Sequence, residues 1–283
     1  MRSAATVLNR VETQRLKPKR TCKDKAMNNA SIQHKAERSP THDLTGQRVV
    51  VVGGKTGIGL GIARTAQAAG ATVVVASRRN LSAEQRPDLT SFEQVSLDLC
   101  DEASVRAAFE AIGSFDHLHV TAGSEAGSWG AFMDEDMRGV RSYMESKFLG
   151  SWACARHAAR HLTEDGTITF LTGGTGARAK LGLAAVTSVF SAVEALSASL
   201  ALELAPVRVN TIRPGFVETE WWNFLSKAQR EELRAKVRAK FPARHLGTPA
   251  DVGHAALFLM TNPYVTGTVL EVSGGELLVD WLF

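Results

Sequence analysis

Hydrophobic positions along this chain follow two alternating patterns, short β-branched runs and longer stretches with apolar residues three and four apart. The first run, 48–53, is valine after valine and closes on glycine, as a strand buried on both faces should. Residues 58–69 follow at helical spacing, and Gly70 supplies the stop. Further strands are predicted at 71–76, 93–97, 117–121, 167–171, 207–212 and 269–272. Helices are predicted at 102–112, within 137–162, and at 184–204, 227–240 and 251–259. Strand and helix in alternation imply an α/β domain built on a single doubly wound parallel sheet.

Ahead of residue 43 the pattern is lost. Residues 1–42 hold ten lysines and arginines against Glu12, Asp24 and Glu37, whereas the whole chain carries only +4. The basic character therefore belongs to this segment, and residues 43–283 are net acidic. With Lys17-Pro18-Lys19-Arg20, Asn28-Asn29 and Ser39-Pro40, and few apolar residues, 1–42 reads as a disordered basic extension. A nucleic-acid partner needs a basic face on the folded part, which this distribution removes. An organelle-targeting role for residues 1–26 and a true start at Met27 are alternative readings of the same segment. Aliphatic runs such as 49–52 are too short to cross a bilayer. Cys22, Cys100 and Cys154 show no metal-like spacing, so no metal is expected, and they suit a reducing compartment. A cytoplasmic protein with neither a membrane nor a nucleic-acid partner is the expectation.

The first strand runs into Gly53-Gly54-Lys55-Thr56-Gly57-Ile58-Gly59. Gly53 permits a tight turn, Gly57 lets backbone approach a pyrophosphate, and Gly59 lets the helix close on the strand. The helix N-terminus then offers free N–H groups and partial positive charge to the phosphates. The second strand ends in Ser77-Arg78-Arg79 with no acid. An acid there would hold the ribose hydroxyl of NAD, whereas arginine grips the extra phosphate of NADP(H). Lys55 adds positive charge nearby.

Residues 43–283 resemble the short-chain dehydrogenase/reductase family, a Rossmann-fold group. Gly53, Gly57 and Gly59 match its glycine motif, and Asp98-Leu99 look like its adenine contact. Val120-Thr121-Ala122-Gly123 resembles its Asn-Asn-Ala-Gly segment with both asparagines gone. Val209-Asn210, then Pro214, Gly215, Val217 and Thr219, look like the segment that holds nicotinamide and pyrophosphate. Thr266-Gly267 and Ser273-Gly274-Gly275 resemble its C-terminal strand and turn. The resemblance implies an oxidoreductase whose two long helices pack against copies in a homodimer or homotetramer.

The family's enzymes reduce a carbonyl with a tyrosine, a lysine four residues later, a serine on the preceding strand and an asparagine one helix earlier. Registering the helix by Ala192-Val193-Glu194-Ala195-Leu196 places Val186 at the tyrosine and Phe190 at the lysine. The serine falls near Thr172-Gly173, so a hydroxyl survives only as Thr172, and the asparagine becomes Lys147. Thr187 and Ser188 stand about 100° and 200° around the helix from Val186 and are badly aimed. A literal Tyr-x-x-x-Lys, Tyr143 to Lys147, precedes the 167–171 strand instead of following it, and its tyrosine reads as part of an ordinary helix. Lys147 reads as an ammonium that stabilises developing oxyanion charge.

The expected function is NADPH-dependent hydride transfer to a carbonyl, imine or iminium small molecule through a non-standard active site. A non-catalytic NADP(H)-binding sensor or partner subunit is the alternative. Segment 227–240 is expected as a substrate lid. Of Trp221 and Trp222 just before it, one is expected on the substrate and the other at a subunit contact.

Overall fold

The computed structural model describes residues 42–123 and 130–280. The extension expected over 1–42 lies, but for His42, outside the described residues. The elements are β1 (Arg48–Val52), α1 (Gly57–Ala68), β2 (Thr72–Ser77), β3 (Glu93–Ser96), α2 (Glu102–Ile112) and β4 (Phe115–Val120). Then come α3 (Met137–Tyr143), a π-helical turn (Met144–Leu149), α4 (Gly150–Ala158), β5 (Leu162–Leu171) and α5 (Ala184–Glu203). The remainder is β6 (Arg208–Pro214), α6 (Lys227–Lys240), α7 (Pro249–Thr261) and β7 (Val269–Val272).

All strand pairs are parallel, in the order β3-β2-β1-β4-β5-β6-β7. This is the doubly wound Rossmann sheet that the alternating pattern predicts. Leu60, Ile62, Val252 and Leu259 from α1 and α7 bury one face. Val105 and Phe109 from α2, Cys154 from α4 and Val193 from α5 bury the other. The order reverses between β1 and β4, so the chain leaves Val52 and Val120 in opposite directions and opens a crevice beyond their ends.

Two differences from the expected elements have local causes. Strand β5 begins at Leu162 instead of 167, because Leu162 pairs with Phe115 before a register irregularity. Its intervening Glu164-Asp165-Gly166 has the polarity of a turn. The helix within 137–162 is interrupted by the π turn, where Ser151 Oγ donates to the Lys147 carbonyl at 2.6 Å. Cys154 is buried as a small core residue, but Cys100 is exposed. Helix α5 is long and apolar enough to cross a membrane, yet its Val193 and Leu196 are buried in the core beside the sheet.

Candidate active site

The glycine loop sits at the mouth of the crevice. Gly53 and Gly57 have φ of 88° and 50°, a region that a side chain would strain. A Cβ on Gly59 would stand 2.2 Å from the Gly53 carbonyl oxygen, so only glycine lets α1 approach the turn this closely. Thr56 begins α1 without a side-chain cap, and no acid occupies the first turn. By contrast, Asp101, Ser226 and Thr248 cap α2, α6 and α7. The uncapped N–H groups of α1 fit a pyrophosphate.

Ser77, Arg78 and Arg79 lie where β2 ends, and Asp98 and Leu99 follow β3. The Ser77 hydroxyl donates to the Arg79 carbonyl at 3.0 Å, and Ser96 Oγ donates to the Arg78 carbonyl at 3.2 Å. Serine hydroxyls therefore tie down the arginine turn, and Arg78 and Arg79 are exposed. Lys55, read as a source of free charge, is buried and donates to the Arg79 carbonyl instead. Burial and the neighbouring Arg86 push its pKa down. Arg86, which the sequence reading missed, donates to the Lys55 carbonyl at 3.0 Å and pairs with Asp88. The Asp98 carboxylate accepts from the Cys100 N–H at 3.0 Å. Leu99 packs closely on Gly150.

Behind the loop lies a cavity of about 550 Å³, walled by Gly53, Thr56, Gly57, Ile58, Gly59, Thr121, Ala122 and Gly123 on one side and by Pro214, Gly215, Val217 and Thr219 on another. Lys147, Thr172, Val186 and Phe190 also line it, so the residues placed by the helix register do converge. Lys147 is buried, and its Nζ donates to the carbonyl oxygens of Ala122 at 3.2 Å and Thr121 at 3.4 Å. Burial pushes its pKa down to about 8. Its stem runs past Gly123, where a Cβ would stand 2.6 Å from Lys147 Cδ. The Thr172 hydroxyl donates to Glu194 Oε1 at 2.9 Å, and Arg213 holds that carboxylate through both oxygens. The threonine proton is thus committed, leaving its oxygen as an acceptor. Ser188 Oγ bonds back to the Ala184 carbonyl at 2.9 Å, consistent with its poor aim.

Two expectations, on the tryptophans and on the lid, are corrected below, whereas Tyr143 lies on a helix, α3, as read. It is buried, lines the cavity with Lys147, and meets the Phe190 ring edge-on at 6.3 Å. The lysine four residues on shares its side of the helix. Trp221 and Trp222 both border the cavity. They belong to a tight helical turn, Glu220–Phe224, which separates successive side chains by about 120° and allows both to border one opening. Trp222 donates to the Val217 carbonyl at 2.9 Å and packs on Phe216, with Trp221 perpendicular to it. This turn, and not α6, walls the cavity. Helix α6 instead buries Val237 against Phe241 and Leu246.

Lys180 and Glu276 also border the cavity, and neither carried a motif by which the sequence could flag it.

A family model described as enoyl-(acyl carrier protein) reductase matches residues 52–276. The short-chain dehydrogenase/reductase fsr5 of Gibberella fujikuroi is 27% identical over 255 residues, 83% of this chain and 96% of that protein. L-fucose dehydrogenase of Oryctolagus cuniculus is 33% identical over 244 residues, 81% of this chain and 84% of that one. Among solved structures, a small-chain dehydrogenase in complex with NADPH is 32% identical. It superposes with a TM-score of 0.71 and covers 82% of this chain and 99% of that one.

Proposed function

Because the chain belongs to the short-chain dehydrogenase/reductase family of oxidoreductases, we propose that it uses NADPH to reduce a carbonyl, imine or iminium group on a small molecule. The observation that carries this reading is an uncapped glycine-loop helix at the wall of an open cavity, with two arginines at the end of the neighbouring strand β2. The residues fit the coenzyme. The amides at the start of α1 would hold its pyrophosphate, Ser77, Arg78 and Arg79 its ribose phosphate, and Asp98 and Leu99 its adenine. Thr121, Ala122, Gly123, Pro214, Gly215, Val217 and Thr219 would border the nicotinamide end. When bound, the coenzyme supplies a hydride.

The chain's own chemistry departs from the family's. At the positions assigned to the tyrosine and lysine stand Val186 and Phe190, neither of which transfers a proton. Loss of general acid help slows a carbonyl reduction by ~10²–10⁴-fold without forbidding it. Lys147 carries a charge that would stabilise an oxyanion, and Tyr143 is the nearby phenol on the same helix side. Leu183, Val186 and Phe190 give the cavity an apolar wall.

Loss of NADPH absorbance, followed across carbonyl and iminium compounds, tests the reading. Turnover with any of them supports it. Tight NADPH binding without turnover on either class would favour the alternative, a non-catalytic NADP(H)-binding sensor or partner subunit.

A further inference from the structure

Among the described residues, four charged side chains border the cavity: Lys147, Lys180, Glu220 and Glu276. Lys147 is turned to two backbone carbonyls. Glu276, in the short turn Glu276–Leu278, is only 5% exposed. Its Oε1 accepts from Lys180 Nζ at 2.6 Å. Its Oε2 accepts no hydrogen bond from the described residues. A Cβ on Gly215 would stand 2.6 Å from that oxygen, and one on Gly174 would stand 3.5 Å away. Glycine at 215 is therefore what allows a carboxylate oxygen to sit at the cavity wall. The oxygen left without a protein donor thus stands at the cavity surface, where a positive charge entering the cavity can meet it.

Two further features of the cavity suit a positively charged group. Trp221, packed edge-on with Trp222 and Phe224, borders it at 37% exposure, and indole is the aromatic group that attracts a cation best. Val186 and Phe190 bring no proton, and an iminium carbon needs none. It accepts a hydride and becomes a neutral amine, whereas a ketone must also gain a proton at oxygen.

From these observations we infer that Glu276 is a specificity residue that selects a cationic nitrogen substrate, an iminium or protonated imine, with Oε2 as its counter-charge. The inference rests on the reductase reading above and names its substrate class. Lys180 then competes with the substrate for the Glu276 charge.

The test is binding to the full chain, read by quenching of tryptophan fluorescence. The probes are N-methyl-dihydroisoquinolinium and tetralone, which share a bicyclic frame and differ in charge. The cation should bind about tenfold tighter than the ketone, the scale of a desolvated charge contact. Glu276→Gln should remove that preference while leaving tetralone affinity within twofold. Lys180→Met should move the other way and tighten the cation, because a competing positive charge is gone. A pair that merely braces the fold would weaken both probes in both variants. Equal binding of the two probes by the parent overturns the inference, as does weaker cation binding in Lys180→Met. If Glu276→Gln fails to fold, the sign of the Lys180→Met change decides alone. NADPH affinity is titrated separately. Its absence would sink the reductase reading, while the charge preference in binding would stand or fall by itself.

Discussion

The ring of Phe190 stands where a side chain on Gly173 would have to go, with its Cε2 2.8 Å from the position of a Cβ there. Gly173 itself is extended, at φ −168°, a conformation open to any residue. The ring alone therefore demands the glycine. Gly173→Ala should destabilise the protein by about 1–3 kcal/mol, the usual cost of overpacking. The same change made on Phe190→Ala should cost well under half of that. Urea denaturation of the two single variants and the double variant measures the coupling. Additive costs would show that the two positions are independent.

Restoring chemistry follows from the same contact. In the register proposed here, Val186→Tyr and Phe190→Lys rebuild a proton donor and its cation, and removing the ring opens room for Gly173→Ser. Ketone reduction should rise in the double variant by up to ~10²–10⁴-fold and further in the triple. Lys147 would lie near the new lysine, and two cations in one pocket repel, so the gain in the double variant should fall short of the full range. Single-turnover rates with tetralone are the measurement. No gain in either variant would mean that the register is wrong.

Coenzyme choice is read at the end of β2. Arg78→Ala should weaken NADPH by about 1.5–3 kcal/mol, the scale of a charged hydrogen bond, and leave NADH nearly unchanged. Fluorescence titration of both coenzymes checks this, and equal affinity of the parent for the two would remove the NADP assignment. Arg86→Ala separates a second route. It frees the Lys55 carbonyl and Asp88, so its effect should be smaller and shared by both coenzymes.

What the sequence revealed is what repeats or is punctuated. The parallel sheet was legible because runs such as 48–53 and stops such as Gly70 carry local signals, and the glycine loop because its spacing is tied to one backbone path. The convergence of Lys147, Thr172, Val186 and Phe190 was legible only through a register carried from relatives. The approach of Tyr143 to the cavity was not legible, because its motif precedes β5 in sequence while the helix it belongs to packs beside α5 in space. Lys180 and Glu276 were invisible: a pair 96 residues apart leaves no pattern in a single chain. The Thr172–Glu194–Arg213 bonds escaped for the same reason.

Assembly is the next expectation. Leu149 and Trp152 on the π turn and α4, and Leu202 on α5, are exposed at 52%, 49% and 83%. These are the helices for which the family resemblance implies contacts between copies, and apolar side chains left in water there favour burial. We expect a homodimer or homotetramer, with Trp152→Glu and Leu202→Glu together giving a monomer that keeps its fold. Light scattering at micromolar concentration measures this, and a monomeric parent would refute it.

Lys147 makes the last prediction, in which stability and rate should respond to pH in linked ways. Burial lowers its pKa from the ordinary 10.5 to about 8. Between those values the unfolded chain holds a proton that the folded chain has released, so stability should rise with pH across that window. Below about 8 both states are protonated, and the folded state bears the full cost of a buried ammonium, on the order of 3 kcal/mol. Lys147→Met should therefore be more stable than the parent at neutral pH, with the difference vanishing above about 10.5. Its rate should change in the opposite sense. If the ammonium stabilises the reacting group, single-turnover reduction by the parent falls as pH rises through about 8, and Lys147→Met is slow throughout with no such break. An unchanged rate and profile in Lys147→Met would take this lysine out of the chemistry. Tyr143→Phe serves as the comparison: if that variant abolishes the break while Lys147→Met retains it, the phenol is the group that titrates.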